Sequence, residues 1–284
     1  MSTHLVRIIL IILTIALGIV YPFLPGGYDS LASPLSTIAQ GFGVLGVLLV
    51  PIGAWWLVAE LRQRGRPIRG RGFVFAVITV IVSSLIAAAL TLAGLATVGL
   101  SLAVFLLAAW LYSLSKLVPL LRAMRHSERD RFNPTPLYLV IIPLGVLTFQ
   151  IVAAAPLTAA SRSRAIASSA EMIAHIEAYR EAQGRYPNSL LGVWKDYYPQ
   201  VVGVERYYYR PERDAYNLYF EQPRFLLDQL GTREFVVYNP RDEHFIVSHP
   251  SRMLRLTPAQ FASSPGWYSV HDVGTDHWRY FWFD

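Results

Sequence analysis

The sequence reads as a polytopic α-helical membrane protein of about five spans with a C-terminal α+β domain, a long helix packed on an antiparallel sheet. Three observations predict this. The 284 residues are 54% hydrophobic and only 15% charged, against about a quarter charged in a soluble globular protein. Five apolar stretches long enough to cross a bilayer fill residues 1–160. Beyond them the hydrophobic period falls from a helical one to two.

A spanning helix needs roughly 20 apolar residues, and five stretches supply them: about 5–24, 38–59, 73–93, 97–118 and 137–157. The third and fourth run almost without a break from Phe73 to Val118. That is too long for one span, so a helical hairpin is expected with its turn in Ala93-Gly94-Leu95-Ala96-Thr97. In the first span Arg7 precedes an apolar run, as in a signal peptide, but Tyr21-Pro22-Phe23 is a poor cleavage site, and an uncleaved anchor is expected.

Loop charge orients the spans. "ELRQRGRPIRGRG" (60–72) carries five arginines and "KLVPLLRAMRHSERDR" (116–131) five Lys/Arg, whereas "YPFLPGGYDSLASPLST" (21–37) carries none. The basic loops are placed in the cytoplasm, which puts the N-terminus inside and the C-terminal domain outside. Arg162 and Arg164, just past the fifth span, run against this rule. The net charge of +6 fits the same distribution. Residues 1–160 hold eleven Lys/Arg and four Asp/Glu, and residues 161–284 hold fourteen and fifteen. The excess belongs to the membrane half, so nucleic acid is not an expected partner. The chain has no cysteine, which removes disulfides, thiolate metal sites and Cys nucleophiles and leaves the redox compartment open.

No ionisable residue sits near the centre of a span; Glu60 and Lys116 lie at ends. Ion-coupled transport usually needs such a group. Gln40, Ser83, Ser84, Thr148 and Gln150 are read as interhelical hydrogen-bonding positions. Gly41, Gly43, Gly46 and Ala87-Ala88-Ala89 suit close helix packing, and Pro51 and Pro143 bend their helices.

From Pro156 the pattern stays helical but becomes amphipathic. Ile166, Met172, Ile173, Ile176 and Tyr179 share one arc, opposed by Arg164, Glu171 and His175. Gly184 ends this helix in the left-handed manner, with Pro187 three residues on. Asn188 or Ser189 is expected to cap a short second helix through Leu190, Leu191, Val193 and Trp194. Three hairpins follow: 206–221 about a turn at Pro211-Glu212-Arg213-Asp214, 233–249 about Asn239-Pro240-Arg241-Asp242, and 266–273 with 277–283 across Gly274-Thr275-Asp276. Tyr216, Leu218 and Phe220 are expected on one face.

The apolar helix running through Pro156, the corner "IEAYREAQGRYPNSL" and the strands behind it resemble type IV pilins and type II secretion pseudopilins. The matching corner residues are Tyr179, Gly184, Tyr186, Pro187, Ser189 and Leu190, and the likeness covers about residues 137–220. The resemblance implies a pilin-like fold for the outer domain, residues 161–284, mounted on the transmembrane domain, residues 1–160. It does not imply a pilus subunit. "PTPLYLVIIPLGVLTFQ" (134–150) contains neither a prepilin processing site nor the acidic residue that pairs subunits.

The histidines His244, His249, His271 and His277, with Asp242, Glu243, Asp272 and Asp276 nearby, raise the question of a metal. They flank turns or strand ends and form no compact ligand pair, so ordinary strand-end histidines are expected. There is no G-x-S-x-G, no supported S-x-x-K and no P-loop. No catalytic, cofactor-binding or metal residue is assigned, and no cofactor is expected. Aromatics are the remaining anomaly. Tyr207-Tyr208-Tyr209 and the closing "WRYFWFD" place rings on both strand faces, and seven of the last eighteen residues are Phe, Trp or Tyr.

Besides the lipid bilayer, a protein partner is therefore expected at an aromatic surface of the C-terminal domain, with Trp278 and Trp282 as candidate surface rings. A small-molecule ligand is left open. The expected role is a non-catalytic, protein-binding or accessory one in a bacterial envelope assembly, from the inner membrane with a periplasmic domain. The alternatives are a membrane enzyme or transport-related protein, with His271 or Asp272 as the polar positions to test, and an immunity protein against an envelope toxin.

Overall fold

The computed structural model describes residues 2–63, 68–70, 72–126, 128–129, 132–193, 196–212, 214–228, 233–248, 252–255 and 268–283. Trp194, Arg213 and His249 lie outside these residues. Five helical stretches are long and apolar enough to cross a membrane: Thr3–Phe23, Ala32–Arg62, Phe73–Ala96, Leu100–His126 and Thr135–Gln183. The chain divides into two compact units, Met1–Ile19 with Pro34–Val152 and Val20–Ser33 with Ala153–Asp284.

The first unit is helical. It holds α1 (Ser2–Val20), α2 (Ala32–Gly46), α3 (Val50–Arg62), α4 (Phe73–Thr97), α5 (Leu100–His126) and the first part of α6 (Thr135–Gln183). A single 3-10 turn, Val47–Leu49, joins α2 to α3, with Pro51 in the first turn of α3. Proline supplies no N–H for the preceding turn, and the 3-10 turn stands immediately before it. The two short strands β1 (Ile68–Arg69) and β2 (Glu128–Arg129) pair antiparallel and tie the two arginine-rich loops together.

Small residues let these helices approach. A Cβ on Gly43 would stand 2.6 Å from Val146 Cγ1 and closer still to Gln150 Nε2. One on Gly53 would stand 2.8 Å from Leu139 Cβ, and one on Gly145 would meet Ile12 at 2.8 Å. Polar positions bond between helices, Ser36 Oγ donating to the Ile19 carbonyl (2.7 Å) and Gln150 Nε2 to the Gln40 carbonyl (3.2 Å), and Gln40 Nε2 donates to Ser36 Oγ (3.0 Å) within α2. Ser84 instead bonds within its own helix, to the Val80 carbonyl. The α4–α5 turn falls at Val98-Gly99, not at 93–97, because Gly99 takes the left-handed φ of +104°. Gly94 packs against α5, where a Cβ would meet Leu106 Cδ1 at 3.1 Å.

The second unit is α+β. Its sheet has the order β3-β4-β5-β9-β8, all antiparallel, from β3 (Tyr208–Pro211), β4 (Tyr216–Gln222), β5 (Arg233–Tyr238), β8 (Tyr268–Asp272) and β9 (Trp278–Phe283); β6 (Phe245–Ser248) and β7 (Arg252–Arg255) pair separately. The first and third hairpins form as expected, the first closed by Glu212 N–H to the Ala215 carbonyl at 2.8 Å. The second does not. Its turn exists, with Asp242 N–H donating to the Asn239 carbonyl (3.1 Å), but β5 pairs with β9 and β6 with β7.

Ala165, Ile166, Met172 and Ile176 of α6 pack on Tyr216, Leu218, Phe220, Val236 and Trp278, the inward residues of three central strands. Trp278 is thus a core residue, 3% exposed, and not a surface ring. Gly184 ends α6 at φ +70°, its N–H on the Arg180 carbonyl. Tyr186 then turns back, its hydroxyl 2.8 Å from Arg180 Nη1 and its ring 4.9 Å from Tyr216, while Tyr209 Oη donates to the Pro187 carbonyl. The expected second helix is a 3-10 turn, Leu190–Val193, closed by Gly192 N–H to the Ser189 carbonyl. A cap hydroxyl is unnecessary for a single turn.

A strap from the first connection completes this unit. Residues 22–29 run along 200–203 through four backbone hydrogen bonds: Gly26 to Gln200, Asp29 to Val202, Val202 to Leu24 and Gly203 to Pro22. Phe23 stacks on Phe225 at 4.8 Å. The sequence, divided at residue 160, gave no sign of this membership.

Candidate interaction surface

The sheet has two faces of different character, fixed by register. Toward α6 lie residues 216, 218, 220 and 222 of β4, 234, 236 and 238 of β5, 278, 280 and 282 of β9, and 271 of β8. Most are apolar. At one end they become polar: Glu234, with a side chain 1% exposed, accepts from Arg162 Nε (3.0 Å) and Nη2 (2.5 Å) and from Trp282 Nε1 (2.7 Å), with Arg224 Nε at 3.7 Å. Arg162 lies 3.9 Å over the Tyr280 ring and Arg224 4.5 Å over Trp282. Gln222 Nε2 donates to Ser161 Oγ (2.5 Å).

This cluster binds α6 to the sheet. A desolvated carboxylate is tolerable only when it is paired and fully hydrogen-bonded, and here the rings shield the guanidiniums. Burial pulls the Arg224 guanidinium below its ordinary value, against the opposing pull of Glu234 and Asp228. Arg162, which ran against the loop-charge rule, has a structural task as the partner of Glu234. Sequence reasoning missed Glu234, although an acidic residue in phase with Val236 on β5 was a usable signal.

The opposite face carries an aromatic row. Tyr208 stacks on Tyr219 (centroids 5.2 Å, interplanar 16°), and Tyr219 meets Phe235 edge-on at 6.2 Å. Tyr208, Tyr219 and Phe235 are all half-buried. Further along, Phe281 and Val237 are buried. Arg206 lies 5.2 Å over Tyr208, and Arg233, bidentate to Glu221 (2.7 and 2.5 Å), lies 4.9 Å over Phe235. A stacked row capped by arginines offers flat apolar area with charged rims, and Tyr and Arg are the types favoured at protein interfaces. Trp282 is not part of it; it faces α6.

The histidines occupy separate places. His244 is 2% exposed, with Nδ1 facing the Asp242 carbonyl (3.2 Å) and Nε2 the His277 carbonyl (3.1 Å). Burial holds its imidazole below the ordinary histidine value. His271 stacks on Tyr280 (4.7 Å), meets Trp282 at a tilt (4.5 Å, 49°) and is lowered by burial as well. His277 Nδ1 lies 3.3 Å from Asp242 Oδ2, and Asp272 pairs with Arg279 at 3.3 Å. Among the described residues no group of three or more His, Asp or Glu could hold a metal ion.

No protein-family profile, curated protein or solved structure matches this chain.

Proposed function

We propose that this is a bacterial inner-membrane protein whose five apolar helices hold a periplasmic, pilin-like domain that binds a protein partner in an envelope assembly. The observation that carries the reading is the aromatic row Tyr208–Tyr219–Phe235, half-buried on the sheet face turned away from α6 and rimmed by Arg206 and Arg233. Such rings lose contact with water when a partner covers them, which is the main source of association energy. The orientation is supported by loop charge. The five-span arrangement is supported by pairing of the two basic loops and by the strap 20–33, which has no basic residue, sharing a unit with the C-terminal domain.

A photo-crosslinking residue placed at Tyr208 in cells tests the reading. A discrete crosslinked product is expected there and not at the exposed Asp214. The pair of substitutions Tyr208→Ala and Tyr219→Ala should abolish a product formed from a third probe at Phe235 while the protein still accumulates. Equal crosslinking at Tyr208 and Asp214 would remove the case for an interface.

A further inference from the structure

We propose that the groove between the starts of α1 and α6 is a binding site for one anionic phospholipid. A cavity of about 530 Å³ opens there, lined by Arg7, Leu10 and Ile11 of α1 and by Thr135 and Tyr138 of α6. That volume lies in the range of small-molecule sites, roughly 300–1,000 Å³. Its walls differ by level. Arg7, Thr135 and Tyr138 stand in the first two turns of their helices, and Leu10 and Ile11 stand one turn further in.

A phospholipid has the same order: a phosphate at the surface and acyl chains below it. Both helices are apolar enough to cross a membrane, so their starts fall at the level of the headgroups. The site rests on that membrane reading.

The charge is complementary. Arg7 is exposed, and among the described residues it has no carboxylate partner. Neither helix has an acidic residue in its first turn. Glu60, a buried acid of α3, is engaged elsewhere, accepting from Trp56 Nε1 at 3.2 Å and from Asn133 N at 3.4 Å. A planar guanidinium matches the oxygens of a phosphate better than an ammonium does.

The hydroxyls complete the head of the site. Tyr138 Oη lies 2.9 Å from His4 Nδ1. With the proton on Nδ1 the histidine donates to this oxygen, and the phenolic hydrogen is directed to the ligand. Thr135 Oγ1 donates to Asn133 Oδ1 at 2.8 Å, which fixes its rotamer at the groove mouth. In that tautomer the groove presents two donors, Arg7 and Tyr138, above an apolar wall. A chain lying there covers Leu10, 57% exposed, and Ile11, 39% exposed.

Full-length protein reconstituted in nanodiscs of dioleoyl-phosphatidylcholine doped with dioleoyl-phosphatidylglycerol, then released for native mass spectrometry, tests this. One phosphatidylglycerol per chain is expected to survive release in preference to phosphatidylcholine. Arg7→Gln should reduce its retention about fivefold, the weight of one arginine near an anionic surface. Tyr138→Phe should reduce it by a smaller factor, and Arg122→Gln, an exposed arginine of α5, should leave it unchanged. Equal losses for Arg7→Gln and Arg122→Gln would overturn the site in favour of unspecific surface charge. Displacement of the lipid by millimolar inorganic phosphate would show a free-phosphate site and overturn the lipid. A chain that enters nanodiscs but retains both lipids equally refutes the site alone. A chain that does not enter them refutes the membrane reading and the site together.

Discussion

Two arginine–glutamate pairs of this protein look alike in sequence and differ in weight because of where they sit. Arg162–Glu234 and Arg233–Glu221 both close at 2.5 Å, but the first is 13% and 1% exposed and the second 55% and 41%. Removing one member of a buried pair strands the other charge in a low-dielectric site and typically costs about 3–5 kcal/mol. Exposed pairs are worth about 0–1 kcal/mol, because water and salt compensate them. Arg162→Ala is therefore expected to lower the denaturant midpoint of the full-length protein in detergent markedly, while Arg233→Ala leaves it almost in place. Unfolding followed by tryptophan fluorescence reads both, since Trp282 donates to Glu234 and reports loss of that carboxylate. Equal midpoints for the two variants would mean that the cluster does not hold α6 to the sheet.

At the scale of elements, what was legible in the sequence was whatever one segment decides for itself. Apolar length located the five helices, Gly184 ended α6, and period-two alternation placed Tyr216, Leu218 and Phe220 inward, each 0% exposed. What was not legible depended on distant partners. The turn at Asn239 suggested a β5–β6 hairpin, yet six register pairs join β5 to β9, some 45 residues later in the chain. The polar face of the helix–sheet interface was hidden for the same reason, since Arg162 and Glu234 are 72 residues apart.

The strap 20–33 is the clearest case, because nothing in its own pattern announces that it lies along residues 200–203. Its fit is nonetheless specific. A Cβ on Gly203 would stand 2.7 Å from the Pro22 carbonyl oxygen, a backbone atom that cannot swing aside, whereas one on Gly27 would meet nothing within 4 Å. Overpacking of this kind typically costs about 1–3 kcal/mol. Gly203→Ala should therefore free the strap and raise the rate of chymotrypsin cleavage after the exposed Tyr28, and Gly27→Ala should not. The same cleavage rate in both variants would show that the strap is not held by this contact.

For the whole molecule, the strap turns a question of orientation into one of consistency. Residues 20–33 follow the first apolar helix and the C-terminal domain follows the fifth, and the two make one compact unit. If the apolar helices cross a membrane as proposed, the two must share a compartment, and with four helices between them this requires an even number of crossings from one to the other. The loops holding Ile68–Arg69 and Glu128–Arg129 pair with each other and so also share a compartment. Five spans satisfy both conditions at once, and dropping any one of the last four violates at least one of them. Because the chain has no cysteine, single cysteines at Ser30, Arg69, His126 and Asp276 report each position without background. An impermeant thiol reagent applied to intact cells should label Ser30→Cys and Asp276→Cys alike. Arg69→Cys and His126→Cys should be labelled only after the membrane is opened. Labelling of all four positions together, or of Ser30→Cys without Asp276→Cys, would break the five-span arrangement. Labelling of Arg69→Cys and His126→Cys alone would keep the five spans and reverse their direction, against the charge of the basic loops.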